Sequence, residues 1–370
     1  MKYIENSIYL LRYSFDDTRT WRSHVTSRVW QYVSNSNDVA PPQQKHALRT
    51  HQHALHIMNI LQLGALLQSR ELTLQFLREK GLLYDAIFCS SCNRWMRHQR
   101  DASVKCDGYI FRCVTCRDKA SIRRDSFFAA QRKDFSDYLT ALYFFAKSIP
   151  ACSAEKMMQG MMSQSTILSW YNYYRDLLSR DMIAHPLVVG GQGVIVEIDE
   201  SMWRGKRKNN KGRALPKGGW VFGLFDRATR MVALFEIKDR TTDTLLKKIT
   251  EHVAPGTHIY SDDWPAYRCL SKSGVWMHSV VNHSKHFVDP KTGTHTQNIE
   301  SFWGNGKSNW TKMRGCKMGM RAAHIDEIQW RWNNRNEDTF ESIITLIRQF
   351  YPLQHPSVSP ALQQEKPALN

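Results

Sequence analysis

Three acids and four cysteines stand out in this chain by type and spacing. Asp199 closes the apolar run Val194-Ile195-Val196-Glu197-Ile198, which reads as a buried strand ending at the acid. Asp262 ends a second run, His258-Ile259-Tyr260-Ser261, and Glu300 lies on a helical stretch from Thr296 to Trp310. Sixty-two residues separate the first pair and thirty-seven the second. In-line attack on a phosphodiester calls for two hard divalent cations roughly 3.5–4 Å apart, which activate the nucleophile and neutralise the leaving oxygen. Such cations take carboxylate oxygens, and two aspartates with one glutamate can hold them as Mg2+ or Mn2+. Spacing alone says little, because an acid taken singly is more often a solvated side chain.

The cysteines carry a sharper signal. Cys89-x-x-Cys92 and Cys113-x-x-Cys116 are two knuckles separated by 20 residues. Four thiolates in two such turns can close a tetrahedron around a structural zinc ion. Saturated by sulfur, that ion has no open position for water, so its role is to fold a small module. Cys106 falls outside both turns and reads as a non-ligand, and Cys152, Cys269 and Cys316 read as isolated thiols. His283 and His286 have ligand-like spacing but no second pair beside them.

The elements that must position these groups can be read in outline. After the zinc ribbon, Ser136–Lys147, Ser153–Met161 and Ser165–Met182 read as three helices, each with a serine placed to cap it. They are compatible with a helix-turn-helix offering Ser169, Asn172, Tyr173 and Arg175 to DNA, or with a purely structural bundle. Residues 66–83 predict one amphipathic helix. From residue 194 the order is three strands, helix, strand, helix, strand, helix, the order of a ribonuclease H-like α/β domain. Trp220–Phe225 and Met231–Ile237 form its hairpin, and Thr294 with Gln297 predicts a capping box at the start of the helix that carries Glu300. The domains expected are a mostly helical accessory segment (1–83), a zinc ribbon (84–128), a helical DNA-binding segment (129–188), a ribonuclease H-like domain (189–335), a C-terminal helix (336–351) and a disordered tail (352–370).

The 51 Lys and Arg against 34 Asp and Glu leave a net charge of +17, which points to a polyanion as partner. Residues 94–133 carry eleven Lys and Arg against four Asp, and the stretch from Arg204 to Lys217 has seven and no acid. Arg204, Lys206, Arg207, Lys208, Lys211 and Arg213 are therefore expected to contact the DNA backbone, with nuclear import a second role for the same charges. His295 and Asn298 either orient a phosphate or cap their helix, and Lys307 either grips a phosphate or pairs along the helix. Most of Trp203, Trp220, Trp264, Trp303, Trp310, Trp330 and Trp332 should be core, with one able to stack on an unpaired base. No secretory signal and no membrane-length apolar tract is legible, so an intracellular protein with no membrane partner is expected.

The text around the three acids resembles the Merlin superfamily of eukaryotic DNA transposons and the related bacterial insertion-sequence transposases with the same ISXO-like DDE domain. The matching segments are VEIDES (196–201), RGKRKNNKGR (204–213), WVFGLFDR (220–227), IYSDDWPAY (259–267) and VNHSKHFVDPKTGTHTQNIESFW (281–303). The helix around Asp326–Asn334, the ribbon and SIRRDSFF (121–128) extend the resemblance over roughly residues 75–335. It implies a metal-dependent transposase with Asp199, Asp262 and Glu300 as its catalytic triad. The motif, together with the alternation of Ile195, Glu197 and Asp199, favours Asp199 over the adjacent Glu200, and the motif favours Asp262 over Asp263. The resemblance further implies binding to terminal inverted repeats and target DNA, cleavage and strand joining. It also implies a homodimer or higher synaptic assembly, located in the nucleus if the source is eukaryotic and otherwise in the cytoplasm or nucleoid. A domesticated DNA-binding protein that does not cut is the alternative.

Overall fold

The structure is a computed structural model, and it describes residues 58–203, 219–283, 287–312 and 318–353. The expectations for the N-terminal segment up to residue 57, for Arg204, Lys206, Arg207, Lys208, Lys211 and Arg213, for His286 and Cys316, and for the tail from residue 354 lie outside the described residues.

A separate helix, α1 (Ile60–Leu66), precedes the one predicted over 66–83, which is the shorter α2 (Arg70–Glu79). The division has a local cause. Ser69 is extended, and its hydroxyl accepts the Leu72 N–H at 3.1 Å, starting a new helix three residues after the first ends. Five short strands follow. β1 (Phe88–Cys89) and β2 (Arg94–Trp95) pair antiparallel, and β3 (Arg97–Arg100), β4 (Tyr109–Arg112) and β5 (Lys119–Ser121) form an antiparallel three-stranded sheet.

Helices α3 (Phe135–Ala146), α4 (Ala151–Met157) and α5 (Gln164–Ala184) come next. The predicted serine caps are corrected here. Asp134 and Pro150 precede α3 and α4 without a side-chain cap, and only Ser163 caps its helix, accepting from the Thr166 N–H. Arg175, read as a DNA contact, is buried instead and donates to Glu327 at 2.6 Å, because a guanidinium on the inner face of α5 must be paired.

The second half is built on five strands: β6 (Ile195–Met202), β7 (Trp220–Asp226), β8 (Val232–Ile237), β9 (His258–Asp262) and β10 (Met277–Val281). Their order is β10-β9-β6-β7-β8; β6-β7 and β7-β8 are antiparallel, β6-β9 and β9-β10 parallel. Three antiparallel strands extended by two parallel ones is the ribonuclease H-like arrangement. α6 (Thr242–His252) connects β8 to β9, and a 3₁₀ helix (Pro265–Lys272) connects β9 to β10. α7 (Gln297–Lys312), α8 (Arg321–Asn333) and α9 (Thr339–Phe350) complete the described chain.

Strand alternation divides the sheet's core between two faces. Val196, Ile198, Phe222, Leu224 and Ile259 pack with Leu245, Ile249, Tyr267 and Leu270 on the α6 side. Val221, Phe225, Val232 and Leu234 pack with Ile299, Phe302, Trp303 and Ile325 on the side of α7 and α8. A third core gathers α1 to α5, the ribbon's Cys89, Phe111 and Cys113, Trp330 of α8, and Phe340, Ile343, Ile344, Leu346 and Ile347 of α9. The last helix thus shares a core with the first ones.

Candidate active site and metal centre

The two cysteine knuckles are matching turns. Asn93 and Arg117, each the residue after the second cysteine, take φ of 48° and 64°. Their N–H groups donate to the carbonyls of Cys89 at 2.9 Å and Cys113 at 3.0 Å. The turns bring Cys89, Cys92, Cys113 and Cys116 together with all four sulfurs within 4.8 Å of one another. Backbone N–H groups of Cys116 and Thr115 pull the Cys113 thiol down to about 6, while Cys116, against the backbone N–H of Asp118, is pushed up to about 12 by the other sulfurs, so without a cation the four do not ionise together. Four convergent soft donors fit zinc better than a hard cation. Cys106 lies outside the cluster and donates its S–H to the carbonyl of Arg132.

The second centre rests on β6, β9 and α7. The β6-β9 register pairs Ile195 with His258 and Glu197 with Tyr260, so the same offset sets Asp199 level with Asp262. Asp199 is not at a strand end as the sequence suggests: β6 runs on to Met202, held by antiparallel pairing with β7. Opposite Asp199 on β7 is Gly223. A Cβ there would meet the Trp303 ring at 2.5 Å, so only glycine leaves room for the indole at this position. From that position Trp303 Nε1 donates to Asp199 Oδ2 at 2.9 Å. Burial raises the Asp199 carboxyl to about 6; the Trp303 N–H opposes this, and the charges of Asp262 and Glu300 add to it. Asp262 is also pushed up, by burial first, against the backbone N–H of Trp264 at 3.2 Å. The neighbouring Asp263 is exposed and accepts from Asn282 at 3.2 Å.

Glu300 sits one turn into α7. Its Oε1 accepts from the Thr296 hydroxyl at 2.8 Å, with His283 Nε2 3.1 Å away. The capping box predicted from Thr294 and Gln297 is therefore displaced: the helix begins at Gln297, and it is Thr296 that reaches the glutamate. Among the described residues no Lys, Arg or His comes within ion-pair distance of Asp199 or Asp262. Within the same residues, the cysteines form the one group of three or more His, Cys, Asp or Glu closed to 4.8 Å, so the three acids as a set are more open. Ligands divided over two ions need not share one such sphere.

A buried acid two residues before Asp199 organises the entry to α7. Glu197 is fully buried and accepts from Arg227 Nε at 2.6 Å, Asn298 Nδ2 at 2.7 Å and the Ile299 N–H at 2.9 Å. Arg227 donates on to the carbonyl of His295 at 2.9 Å, its Nη2 lying 3.0 Å from the ring nitrogens. The polar groups of Asn298 and His295 are thus turned onto Glu197 and Arg227. Lys307, two turns after Glu300, is half-buried.

An ISXO2-like transposase domain matches residues 190–333. An uncharacterized transposase-like protein of Haemophilus influenzae is 30% identical over 106 residues, spanning 29% of this chain and 81% of that protein. The chain belongs to the ISXO2-like transposase family. Among solved structures, the catalytic core of HTLV-2 integrase in complex with magnesium is 17% identical, with 39% of this chain and 86% of that one covered and a TM-score of 0.26. The core of BIV integrase is 14% identical, with coverages of 42% and 97% and a TM-score of 0.26. The ribonuclease H-like assignment rests on strand order and not on these likenesses. The family match falls on the insertion-sequence side of the resemblance and does not extend to the Merlin superfamily.

Several groups around this candidate site are not found by spacing. Glu197 reads as one more polar residue in a strand, although an acid flanked by Val196 and Ile198 signals a buried, paired charge. Glu200 faces the opposite side, where Tyr267 donates to it, and burial lifts its carboxyl to about 7. Trp303 and His283 carry no sequence signal for the atoms they touch.

Proposed function

We propose that this ISXO2-like transposase cuts DNA at the terminal inverted repeats of its element and joins the freed 3′-hydroxyls to target DNA. Asp199, Asp262 and Glu300 are the carboxylates we assign to divalent metal. The observation that carries this reading is the gathering of acids from β6, β9 and α7: burial raises the proton affinity of Asp199 and Asp262, the charges of Asp262 and Glu300 raise Asp199 further, and among the described residues no cation is paired to Asp199 or Asp262. Hard oxygen donors in that state fit Mg2+ or Mn2+, which when bound would activate the attacking oxygen and neutralise the leaving one.

The protein's own groups set the frame. Trp303 fixes the orientation of Asp199, and Thr296 and His283 hold Glu300. Arg227 and Asn298 lock α7 onto β6 through Glu197, which fixes where Glu300 stands relative to Asp199. In this reading His295 and Asn298 are positioning residues, while Lys307 and the basic segment Arg204–Lys217 meet the DNA backbone. The basic ribbon and α3–α5 extend the DNA surface, with zinc on the four cysteines. Two element ends must be held together for joining, so a dimer or larger assembly is the working form. The bacterial relative favours cytoplasm or nucleoid over nucleus as its location.

A plasmid carrying the element ends, incubated with Mg2+, tests the proposal. Wild type should nick at the ends and join them, and Asp199→Ala should bind but not cut. Binding by wild type without cleavage would leave a DNA-binding protein only.

A further inference from the structure

We propose that Arg240, clamped between Trp220 and Trp264, is a phosphate-binding residue that holds the DNA backbone at the rim of the acidic site. The inference deepens the transposase reading and rests on it. Arg240 lies between β8 and α6, with its guanidinium carbon 4.1 Å from the Trp220 ring centroid and 4.2 Å from that of Trp264. Flanked by two indoles, the guanidinium plane keeps its N–H edge for an in-plane acceptor.

That edge has no acceptor among the described residues. Arg240 takes part in hydrogen bonding through its carbonyl, which accepts from Trp264 Nε1 at 3.3 Å. Four other buried or partly buried arginines have a carboxylate partner: Arg123 with Asp107, Arg175 with Glu327, Arg227 with Glu197 and Arg321 with Glu236. A half-buried guanidinium fixed by stacking and left without an acceptor suits an anion that arrives from outside.

Both tryptophans tie the clamp to the site. Trp264 follows Asp262 by two residues and donates its backbone N–H to that carboxylate. Trp220 begins β7 and pairs with Met202, on the strand that carries Asp199. Arg240 is close enough to draw down the proton affinities of Asp262 and Glu200, yet it forms an ion pair with neither among the described residues. A counter-charge evolved for the acids would touch them. A planar fork beside a phosphodiester-cutting site matches instead a non-bridging phosphate oxygen pair next to the cut.

Full-length protein is titrated onto a labelled DNA duplex of arbitrary sequence, without added divalent ion, across a salt series. Wild type should bind with a steep salt dependence. Arg240→Gln should lower the slope of log K against log salt by about 0.9, one phosphate contact, and weaken binding several-fold. Arg240→Lys, which keeps the charge, should retain the slope. An unchanged slope in a folded Arg240→Gln protein overturns the clamp while leaving the transposase reading intact. No binding by wild type overturns both. If Arg240→Gln fails to fold, wild type is treated with phenylglyoxal with and without duplex and read by mass spectrometry. Protection of Arg240 by DNA supports the clamp, and equal labelling refutes it.

Discussion

Asp199 shows how a single side chain's surroundings set its chemistry. Its raised proton affinity means that metal binding, which needs the carboxylate, should strengthen as pH rises through about 6. The effect on folding has the opposite sign. A carboxyl whose folded-state pKa lies above its unfolded value binds extra protons in the native state, so its contribution to stability falls as pH rises from about 4 through about 6. Each unit of difference is worth about 1.4 kcal/mol. Metal-free protein should therefore melt lower at pH 7.5 than at pH 5 as far as this group decides, and Asp199→Asn should flatten that difference. Gly223→Ala probes the same residue from across the strand pair. The added methyl displaces Trp303, and we expect roughly ten-fold slower cleavage with about 1–3 kcal/mol of stability lost to overpacking, measured by cleavage assay and denaturant melts. Asp199 and Asp262 stand out in the sequence as acids following apolar runs, whereas Glu300 is singled out only by the resemblance. Trp303, Thr296 and His283 do not stand out, because each matters only through a contact made across the fold.

Most elements are legible for the same local reason that makes them form. The run 258–262 is a strand as predicted, and the hairpin of β7 and β8 follows its alternation and its Asp226–Thr229 turn. Ends are less legible. β6 extends past Asp199 because its pairing with β7 continues, and α7 starts later than predicted because Thr294 is held in the preceding loop, its carbonyl accepting from Asp289. In the ribbon the strands are only two to four residues long, and a metal on the four cysteines would supply the cross-link that so little sheet lacks. Because Cys89 and Cys113 also belong to the core shared with α1–α5, stripping the metal should disturb more than the ribbon. A chelator strong enough to remove zinc, or Cys89→Ser, should lower the melting temperature by roughly 5–10 °C. A melt unchanged by either would remove zinc from the account of the fold.

On the scale of the whole molecule, α8 is the seam. Ile325 packs against the five-stranded sheet, while Trp330 enters the core of the first helices. On the same helix Glu327 receives Arg175 from α5 at 2.6 Å and Arg331 at 2.9 Å. Burial alone would raise its carboxyl, but Arg331 and Arg175 outweigh burial and hold it at about 2. Glu327→Gln leaves two guanidinium groups without their anion, and a loss of about 3–5 kcal/mol in denaturant unfolding is expected. This seam was invisible in the sequence, since the periodicity of α8 says that it has an inner face but not which two partners share it. The C-terminal helix, expected over residues 336–351 as a unit of its own, joins another core: Phe340, Ile343 and Ile347 complete the one begun by Leu63 and Leu74. That closure carries a consequence for biosynthesis. The ribosome releases α1–α5 with one wall of their core missing and must translate the entire sheet before α9 can fill it. At ordinary elongation rates the gap lasts on the order of ten seconds. During that interval the nascent amino-terminal half presents bare apolar surface, so chaperone engagement is expected there and should cease once the final helix clears the exit tunnel.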